Sequence, residues 1–189
     1  GWRGALLRSG DAPLELAPAP AVARVALAVR GLGKRFGERE LFSDVSFQVA
    51  AGEALLVVGP SGSGKSTLLR CCNGLERADR GAIEAGGVSL AWDGAESPSF
   101  AQLNALRRRV GFVFQEWHLF AHQTVLDNVA EGPRTVLGVP LLEARRRALA
   151  LLDEFGIAAR AQASPRALSG GEQQRAAIAR AVAMEPSVL

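Results

Sequence analysis

Eight consecutive residues combine glycine, hydroxyl and ammonium groups: Gly59, Pro60, Ser61, Gly62, Ser63, Gly64, Lys65 and Ser66. They satisfy the pattern G-x-x-x-x-G-K-[ST], in which backbone N–H groups converge on a triphosphate because glycines leave their approach open. Lys65 supplies a compact charge for the β- and γ-phosphates, and the Ser66 hydroxyl completes the coordination shell of Mg²⁺. We therefore predict that a nucleoside triphosphate and Mg²⁺ bind this loop, with Thr67 as a further binding residue.

The elements on either side of the loop agree with this interpretation. Residues 55–58 are continuously apolar, as expected for a parallel strand that is buried on both faces. A helical stretch over 66–73 follows, and it would present the positive end of its dipole to the anion. A glycine-rich turn that matches the pattern by chance is the alternative. Such a turn would not require a strand directly before the glycines and a helix directly after them.

Hydrophobic periodicity in the rest of the chain predicts a mixed α/β fold. Alternating apolar residues over 25–29 and 41–49, separated by turn residues 37–40, predict antiparallel strands. Further predicted elements are strands at 81–83, 88–90 and 110–114 (the last one buried), a helical region over 124–155 with breaks at 132–133 and 138–140, a helix over 171–183, and a strand that begins at 188.

The composition fits one domain, with room for an inserted subdomain. The chain has 189 residues, 48% of them hydrophobic, and a net charge of +3. The arginine triplets at 107–109 and 145–147 are short, so we interpret them as solvated helix faces and predict no nucleic-acid partner. Lysine occurs only at Lys34 and Lys65. The alanine- and proline-rich residues 1–23 are interpreted as a flexible tail, and no apolar stretch approaches the roughly 18 residues that span a bilayer.

The cysteines and histidines are few enough to consider singly. Cys71 and Cys72 are neighbours on a predicted helix and point in different directions, so we interpret them as core residues and not as a disulfide or a metal pair. His118 and His122 have a spacing that can ligate a metal on a helix, but the sequence suggests no third ligand nearby. We therefore predict no metal site at these residues.

A second motif distinguishes among the many proteins that carry a loop of the first kind. It consists of Leu168, Ser169, Gly170, Gly171, Glu172, Gln173, Gln174 and Arg175. Ser169 and Glu172 have the spacing of a capping box at a helix start. That role does not require Gly170 and Gly171, which weaken a helix but leave backbone donors open to an anion. The motif resembles the LSGGQ signature of ATP-binding-cassette proteins, and the resemblance extends over about 25–189.

This resemblance implies a fold and an activity. The family has an α/β P-loop NTPase (RecA-like) core with an antiparallel β subdomain and an inserted helical subdomain. We place the domain at 24–189 and the helical subdomain at about 116–167. The implied activity is ATP hydrolysis, with ATP and Mg²⁺ as cofactors. Two such domains face each other head to tail as a homodimer or a pair, so Ser169 and Gly171 would serve the γ-phosphate held by the opposite domain.

Two more residues take roles from the resemblance. Gln115 matches the Q-loop glutamine, which touches Mg²⁺ and the attacking water; a polar residue that caps a strand is the alternative. Phe36 falls where the family's A-loop aromatic residue stacks on adenine, although tyrosine is commoner there and a core aromatic is the alternative. The resemblance thus implies Lys65, Gln115, Ser169 and Gly171 as catalytic residues and Ser66 and Gln115 as Mg²⁺ ligands.

Within the family, the chain is most similar to polar amino-acid importer ATPases. Those proteins carry LRCxNxLE and LFPHLTV, which residues 69–76 and 119–125 match except at Ala121 and Gln123. Residues 115–140 would carry the surface that meets a transmembrane permease subunit, and a solute-binding protein would act indirectly. The implied location is the cytoplasmic face of the inner membrane, as a peripheral subunit. A non-transport cassette ATPase and a nucleotide-binding fragment without turnover are the alternatives.

The family pattern continues past the last residue of this sequence. It has a strand that ends in Asp-Glu (Walker B), a D-loop and a switch histidine, none of which can be assigned within 1–189, so we expect a chain truncated before Walker B. Phosphoryl transfer depends on positioning and charge stabilisation. We therefore expect residues 1–189 alone to bind ATP weakly and not to hydrolyse it.

Overall fold

The computed structural model describes residues 6–8, 24–93 and 97–189, with the backbone alone described for 6–8. Contacts divide the chain into two compact units. The first unit contains residues 1–110 with Val188, and the second contains 111–187 with Leu189. In the described part of the chain, no helix is long and apolar enough to cross a membrane.

The first unit contains an antiparallel sheet and the helix that follows the glycine-rich loop. Its elements are β1 (Leu6–Arg8), β2 (Val25–Phe36), β3 (Arg39–Ala50), β4 (Leu55–Val57), α1 (Lys65–Cys72), β5 (Arg80–Ala85), β6 (Val88–Trp92) and α2 (Phe100–Arg109). Four strands form one sheet in the order β3-β2-β5-β6, and each neighbouring pair is antiparallel. The predicted hairpin is confirmed, although its strands are longer than predicted and its turn is confined to Gly37 and Glu38.

A single hydrophobic core holds this unit together. Residues from both strands and helices are buried in it, among them Leu27, Val29, Leu32, Leu68, Cys71, Cys72, Ile83 and Leu106. Leu27 and Val29, two residues apart on β2, both lie in the core because side chains alternate across a strand. Cys71 and Cys72 are both free and buried, and burial raises the pKa of each thiol to about 12, so both are inert at neutral pH.

Two sequence predictions for the first unit are wrong in part. β4 is not buried on both faces, because Leu56 is 58% exposed and the described partner of the strand is β1, which runs antiparallel to it. The predicted strand over 110–114 is reduced to one parallel bridge between Val110 and Val188. A strand forms a ladder only where a neighbouring strand pairs along its length, and both of its faces are buried only where other elements pack on them. Residues 1–5 and 9–23 of the predicted tail lie outside the described residues.

The second unit is helical. It contains α3 (Val125–Val136), α4 (Leu141–Glu154) and α5 (Gly170–Val182), with short 3₁₀ turns at Ala158–Arg160 and Pro165–Ala167. Its core is formed by buried residues that include Val125, Val129, Ala148, Leu152, Ile157, Ala176 and Ala179. The helical subdomain at about 116–167 stays a prediction.

The predicted helix break at 138–140 is confirmed, but the one at 132–133 is wrong. α3 runs through Gly132 and Pro133, and Pro133 is buried with the other core residues of the helix. A Cβ at Gly132 would lie 2.6 Å from the Sδ atom of Met184, so a close packing contact explains this glycine. Tertiary packing here outweighs the local preference of both residues to interrupt a helix.

Asn128 fastens the preceding loop to α3. Its side chain is fully buried, and its Oδ1 accepts a hydrogen bond from the Phe120 amide at 2.7 Å. Its Nδ2 donates to the carbonyl oxygens of Phe120 at 3.1 Å and Thr124 at 2.9 Å. One amide side chain therefore satisfies three backbone groups, as a buried polar group in a stable core must.

We expect Asn128→Ala to destabilise the chain strongly, because it removes a fully buried side chain and leaves the amide and carbonyl of Phe120 without the partners that it provides. At roughly 1–3 kcal/mol for each unsatisfied group, the free energy of unfolding should fall by about 2–4 kcal/mol in a urea titration followed by circular dichroism. Thr135→Ala is the matched control, since its hydroxyl bond on the same helix is exposed; it should change the free energy of unfolding by less than about 0.5 kcal/mol. Equal losses in the two variants would contradict the role given to Asn128.

Candidate functional site

The glycine-rich loop connects β4 to α1 and leads into the first amides of the helix. Gly64 precedes α1 with a φ of +93°, and no side chain caps the helix there. The first amide in the helix with a backbone acceptor is that of Leu68, which donates to the Gly64 carbonyl at 2.8 Å. The amides of Lys65, Ser66 and Thr67 have no acceptor within the helix, so they form a set of donors suited to an anion.

Lys65 folds back over the loop. Its Nζ donates to the carbonyl oxygens of Gly59 at 2.9 Å and Pro60 at 2.8 Å. These bonds use two of the three hydrogens of the ammonium group and hold its charge over the loop. Ser63 Oγ is buried and has no hydrogen-bond partner among the described residues. An orphaned hydroxyl beside free amides and a fixed cation fits a bound polyphosphate.

An open cavity of about 590 Å³ lies between the loop and the start of β3. It is lined by Arg39, Glu40, Leu41, Phe42 and Ser43 from the strand and by Gly62 and Ser63 from the loop. Its size is within the range of small-ligand sites. Phe36 is the cross-strand partner of Arg39, and the residue is 52% exposed, so an aromatic side chain is accessible on the same hairpin.

Gln115 lies in the second unit, in an exposed turn. The strand expected before it is absent from the described structure, so its placement at a strand end is not confirmed. Just beyond Glu116, Trp117 and His118 both adopt left-handed backbone conformations, with φ of +57° and +45°. Such conformations are unfavourable for residues other than glycine and persist only where the surroundings hold them.

Arg180 on α5 holds this strained turn, although it is not among the residues predicted from the sequence. Its guanidinium donates to the carbonyl oxygens of Trp117 at 2.7 Å and His118 at 2.6 Å, and it lies 5.5 Å from the ring centroid of Phe120. Burial lowers the pKa of Arg180 from its ordinary value. The sequence does indicate that Arg180 faces the inside of the helical unit, because it lies four residues after the buried Ala176 and shares its helix face. The spacing does not indicate which groups Arg180 contacts.

The second motif forms the start of α5, and its predicted capping box is confirmed. The Ser169 amide donates to Glu172 Oε2 at 2.8 Å, and the Glu172 amide donates to Ser169 Oγ at 3.4 Å. Ser169, Gly170 and Gly171 are all exposed. The beginning of the helix is thus ordered by its cap and open to solvent on the glycine side.

The predicted site residues are divided between the units. Phe36 and 59–67 lie in the first unit, and Gln115, Ser169 and Gly171 lie in the second. A family model described as ABC transporter matches residues 42–189, which include the loop, Gln115 and the capped helix. The chain belongs to the ABC transporter family.

The proteins that are similar to this ABC chain include two transport subunits of Escherichia coli. The chain is 44% identical over 164 residues to the L-cystine transport system ATP-binding protein TcyN of Escherichia coli (strain K12), covering 87% of this chain and 66% of the relative. It is 48% identical over 169 residues to the histidine/lysine/arginine/ornithine transport ATP-binding protein HisP of the same organism, covering 86% and 66%. The chain therefore spans just under two thirds of either relative.

One similar solved structure is the dimeric post-hydrolysis state of the ATP-binding cassette MJ0796 bound to ADP and Pi. The TM-score is 0.69 at 31% identity, and the match covers 85% of this chain and 70% of that one. The predicted P-loop NTPase fold is confirmed by this likeness. The predicted similarity to amino-acid importer subunits is also confirmed by the two relatives.

Electrostatics at the start of α5 favour an ionised Glu172. The hydrogen bond from Arg160 Nε at 2.8 Å, followed by those from the Ser169 amide and hydroxyl, lowers the pKa of Glu172 to about 2. Glu172 therefore remains charged at neutral pH and stabilises the cap that orders Ser169 and Gly171. The negative charge also suits its position in the first turn of a helix.

We expect Gly64→Ala to impair nucleotide binding, because the added Cβ would lie 2.8 Å from Leu41 Cγ and the residue has a φ of +93°. Affinity for a fluorescent ATP analogue should fall at least about tenfold, as a loop displacement costing more than about 1.4 kcal/mol would give. Gly52→Ala is the matched control: its φ is +81°, but nothing lies within 4 Å of the added Cβ. That variant should lose stability and keep its affinity; an affinity loss of similar size in both would refute the contact with Leu41.

We expect the stabilising effect of Glu172 to depend on pH. Because its pKa is lowered to about 2 in the folded chain, its contribution is fully present above about pH 4.5 and is lost as the pH falls toward 2. The difference in unfolding free energy between the parent chain and Glu172→Gln should be constant from pH 7 to 5 and shrink at pH 4 and 3. In an Arg160→Gln background the difference should already be smaller at pH 7. A difference that grows on acidification would contradict this account.

Proposed function

We propose that this ABC chain is the ATP-binding part of a subunit that hydrolyses ATP to power import of a polar amino acid across the cytoplasmic membrane. The observation that carries the proposal is the set of free amides at the start of α1 beside Lys65 and the Ser63 hydroxyl, which has no partner among the described residues. A triphosphate satisfies all of these groups together.

The residues of the loop have distinct tasks in this proposal. The free amides of Lys65, Ser66 and Thr67 and the Lys65 ammonium bind the β- and γ-phosphates, and the Phe36 ring stacks on the base. The Ser66 hydroxyl and the Gln115 side-chain oxygen are the residues that would hold Mg²⁺, since hard oxygen donors suit this ion. When bound, Mg²⁺ would neutralise negative charge on the phosphates. Gln115 would also orient the attacking water.

The start of α5 is proposed to serve a second cassette. The exposed residues Ser169 and Gly171 offer a hydroxyl and backbone donors at a helix N-terminus, which suits the γ-phosphate bound by a paired domain. The similar MJ0796 structure is dimeric. A homodimer or a pair of cassettes is therefore the proposed working state.

The proposed cargo follows from the relatives. TcyN is named for L-cystine transport, and HisP for transport of histidine, lysine, arginine and ornithine. Polar amino acids are the class that these names share. The proposed partners are a transmembrane permease, met by residues 115–140, and indirectly a solute-binding protein, with no nucleic acid. The proposed location is peripheral, on the cytoplasmic face of the inner membrane.

We expect Lys65→Ala to abolish function without unfolding the chain. Loss of a charged hydrogen-bond donor, worth roughly 1.5–3 kcal/mol, should weaken ATP binding by about ten- to a hundred-fold in a calorimetric titration. Arg70→Ala removes one positive charge from the exposed last turn of the same helix and should leave binding unchanged. In cells with the complete protein and its permease, Lys65→Ala should stop uptake of labelled cystine or arginine, and Arg70→Ala should not.

The two parts of this experiment can fail separately. Undiminished ATP binding by Lys65→Ala would overturn the nucleotide site itself. Normal uptake of every polar amino acid in cells without the gene would overturn the import assignment and leave the nucleotide site intact.

A further inference from the structure

Lys34 is a nearly buried cation beside the proposed base-stacking ring. Its side chain is 8% exposed, and its Nζ lies 2.8 Å from Glu76 Oε1. The same Nζ donates to the Arg77 carbonyl at 2.7 Å and lies over the ring of Phe36, 4.8 Å from the centroid. A buried lysine needs partners of this kind, and here one of them is an aromatic face.

These contacts connect the end of β2 to the segment that follows α1. The Glu76 amide donates to the Arg70 carbonyl in the last turn of α1 at 3.0 Å. The Asp79 amide donates to the Gly33 carbonyl at 3.0 Å, and the Arg35 amide donates to Asp79 Oδ2 at 2.6 Å. The strand end that carries Phe36 is therefore fastened to the helix that begins at the phosphate loop.

We propose that Lys34 is a positioning residue that holds the Phe36 ring in the orientation for stacking on the nucleotide base, an inference that rests on the proposed ATP site. The ammonium occupies one face of the ring. Phe36 is 52% exposed, so the other face is available to the base. A half-exposed ring without this contact would move among rotamers, and the entropy of fixing it would be lost from base binding.

The proposal predicts an effect on the base and not on the phosphates. Lys34 is paired with the carboxylate of Glu76, so the pair carries no net charge toward a distant polyanion. Attraction of phosphate is therefore left to Lys65 and the loop amides. A purely structural role for the Lys34–Glu76 pair would lower stability and affect all ligands alike.

The test compares two ligands, Mg-ATP and Mg-tripolyphosphate, by calorimetric titration of the full chain. The main variant is Lys34→Met/Glu76→Gln, which removes both charges and leaves the net charge unchanged. We expect roughly three- to tenfold weaker binding of ATP, the size of a lost cation–π contact, and tripolyphosphate affinity within about twofold of the parent. Lys34→Arg keeps a positive charge but cannot place one nitrogen against the carboxylate, the carbonyl and the ring together, so it should also weaken ATP binding more than tripolyphosphate binding.

Phe36→Ala completes the design. It should weaken ATP binding at least as much as the main variant, and combining the two should give no further loss, because both act through one ring. Circular dichroism checks the fold of each variant. If the main variant unfolds, Lys34→Gln/Glu76→Gln replaces it, since the shorter amide keeps a donor for the Arg77 carbonyl but carries no charge.

The outcomes separate the proposal from the function on which it rests. Equal losses for both ligands, no loss for ATP, or additive losses with Phe36→Ala would overturn the positioning role. A parent chain that binds tripolyphosphate as tightly as ATP would also overturn it while the phosphate site stands. A folded parent chain that binds neither ligand would overturn the proposed function itself.

Discussion

Peptide N–H groups at the start of α1 lack acceptors inside the helix, and the loop before them must turn sharply to bring them together. Gly64 makes that turn at a φ of +93°, so close to β3 that a Cβ would lie 2.8 Å from Leu41 Cγ. The loop therefore rests on β3, which is held along its twelve residues by β2. The sheet provides a fixed surface for a loop whose backbone conformation is unfavourable. The Lys65 ammonium adds hydrogen bonds to the loop carbonyls of Gly59 and Pro60.

Features that depend on sequence neighbours could be predicted. The β2–β3 hairpin follows from alternating residues on both sides of a short turn, and the start of α5 follows from Ser169 and Glu172 three positions apart. The glycine-rich loop between β4 and α1 could also be predicted, because the backbone conformation at Gly64 excludes most other residue types. In each case the deciding interactions lie within a few residues, where spacing alone specifies geometry.

Features that depend on distant partners could not be predicted. Burial of β4 requires elements that cover both of its faces, and a ladder at Val110 requires a neighbouring strand. Local apolar character does not reveal whether either is present. The passage of α3 through Pro133 is decided by core packing and not by local preference. The bond from Arg180 to the Trp117 carbonyl joins positions 63 residues apart. No spacing rule spans such a separation, and only the folded chain shows the pair.

The chemistry of lysine and arginine explains why these two cations are not interchangeable here. Lys34 must meet a carboxylate, a carbonyl and a ring face around one point, and a compact ammonium can do so. Arg180 must reach the adjacent carbonyls of Trp117 and His118, which suits the two arms of a planar guanidinium. In a chain that uses arginine at almost every basic position, a lysine survives where the site requires a point charge. Both lysines of the chain, Lys34 and Lys65, bring one ammonium nitrogen against two oxygen acceptors at once, which a compact point charge can do.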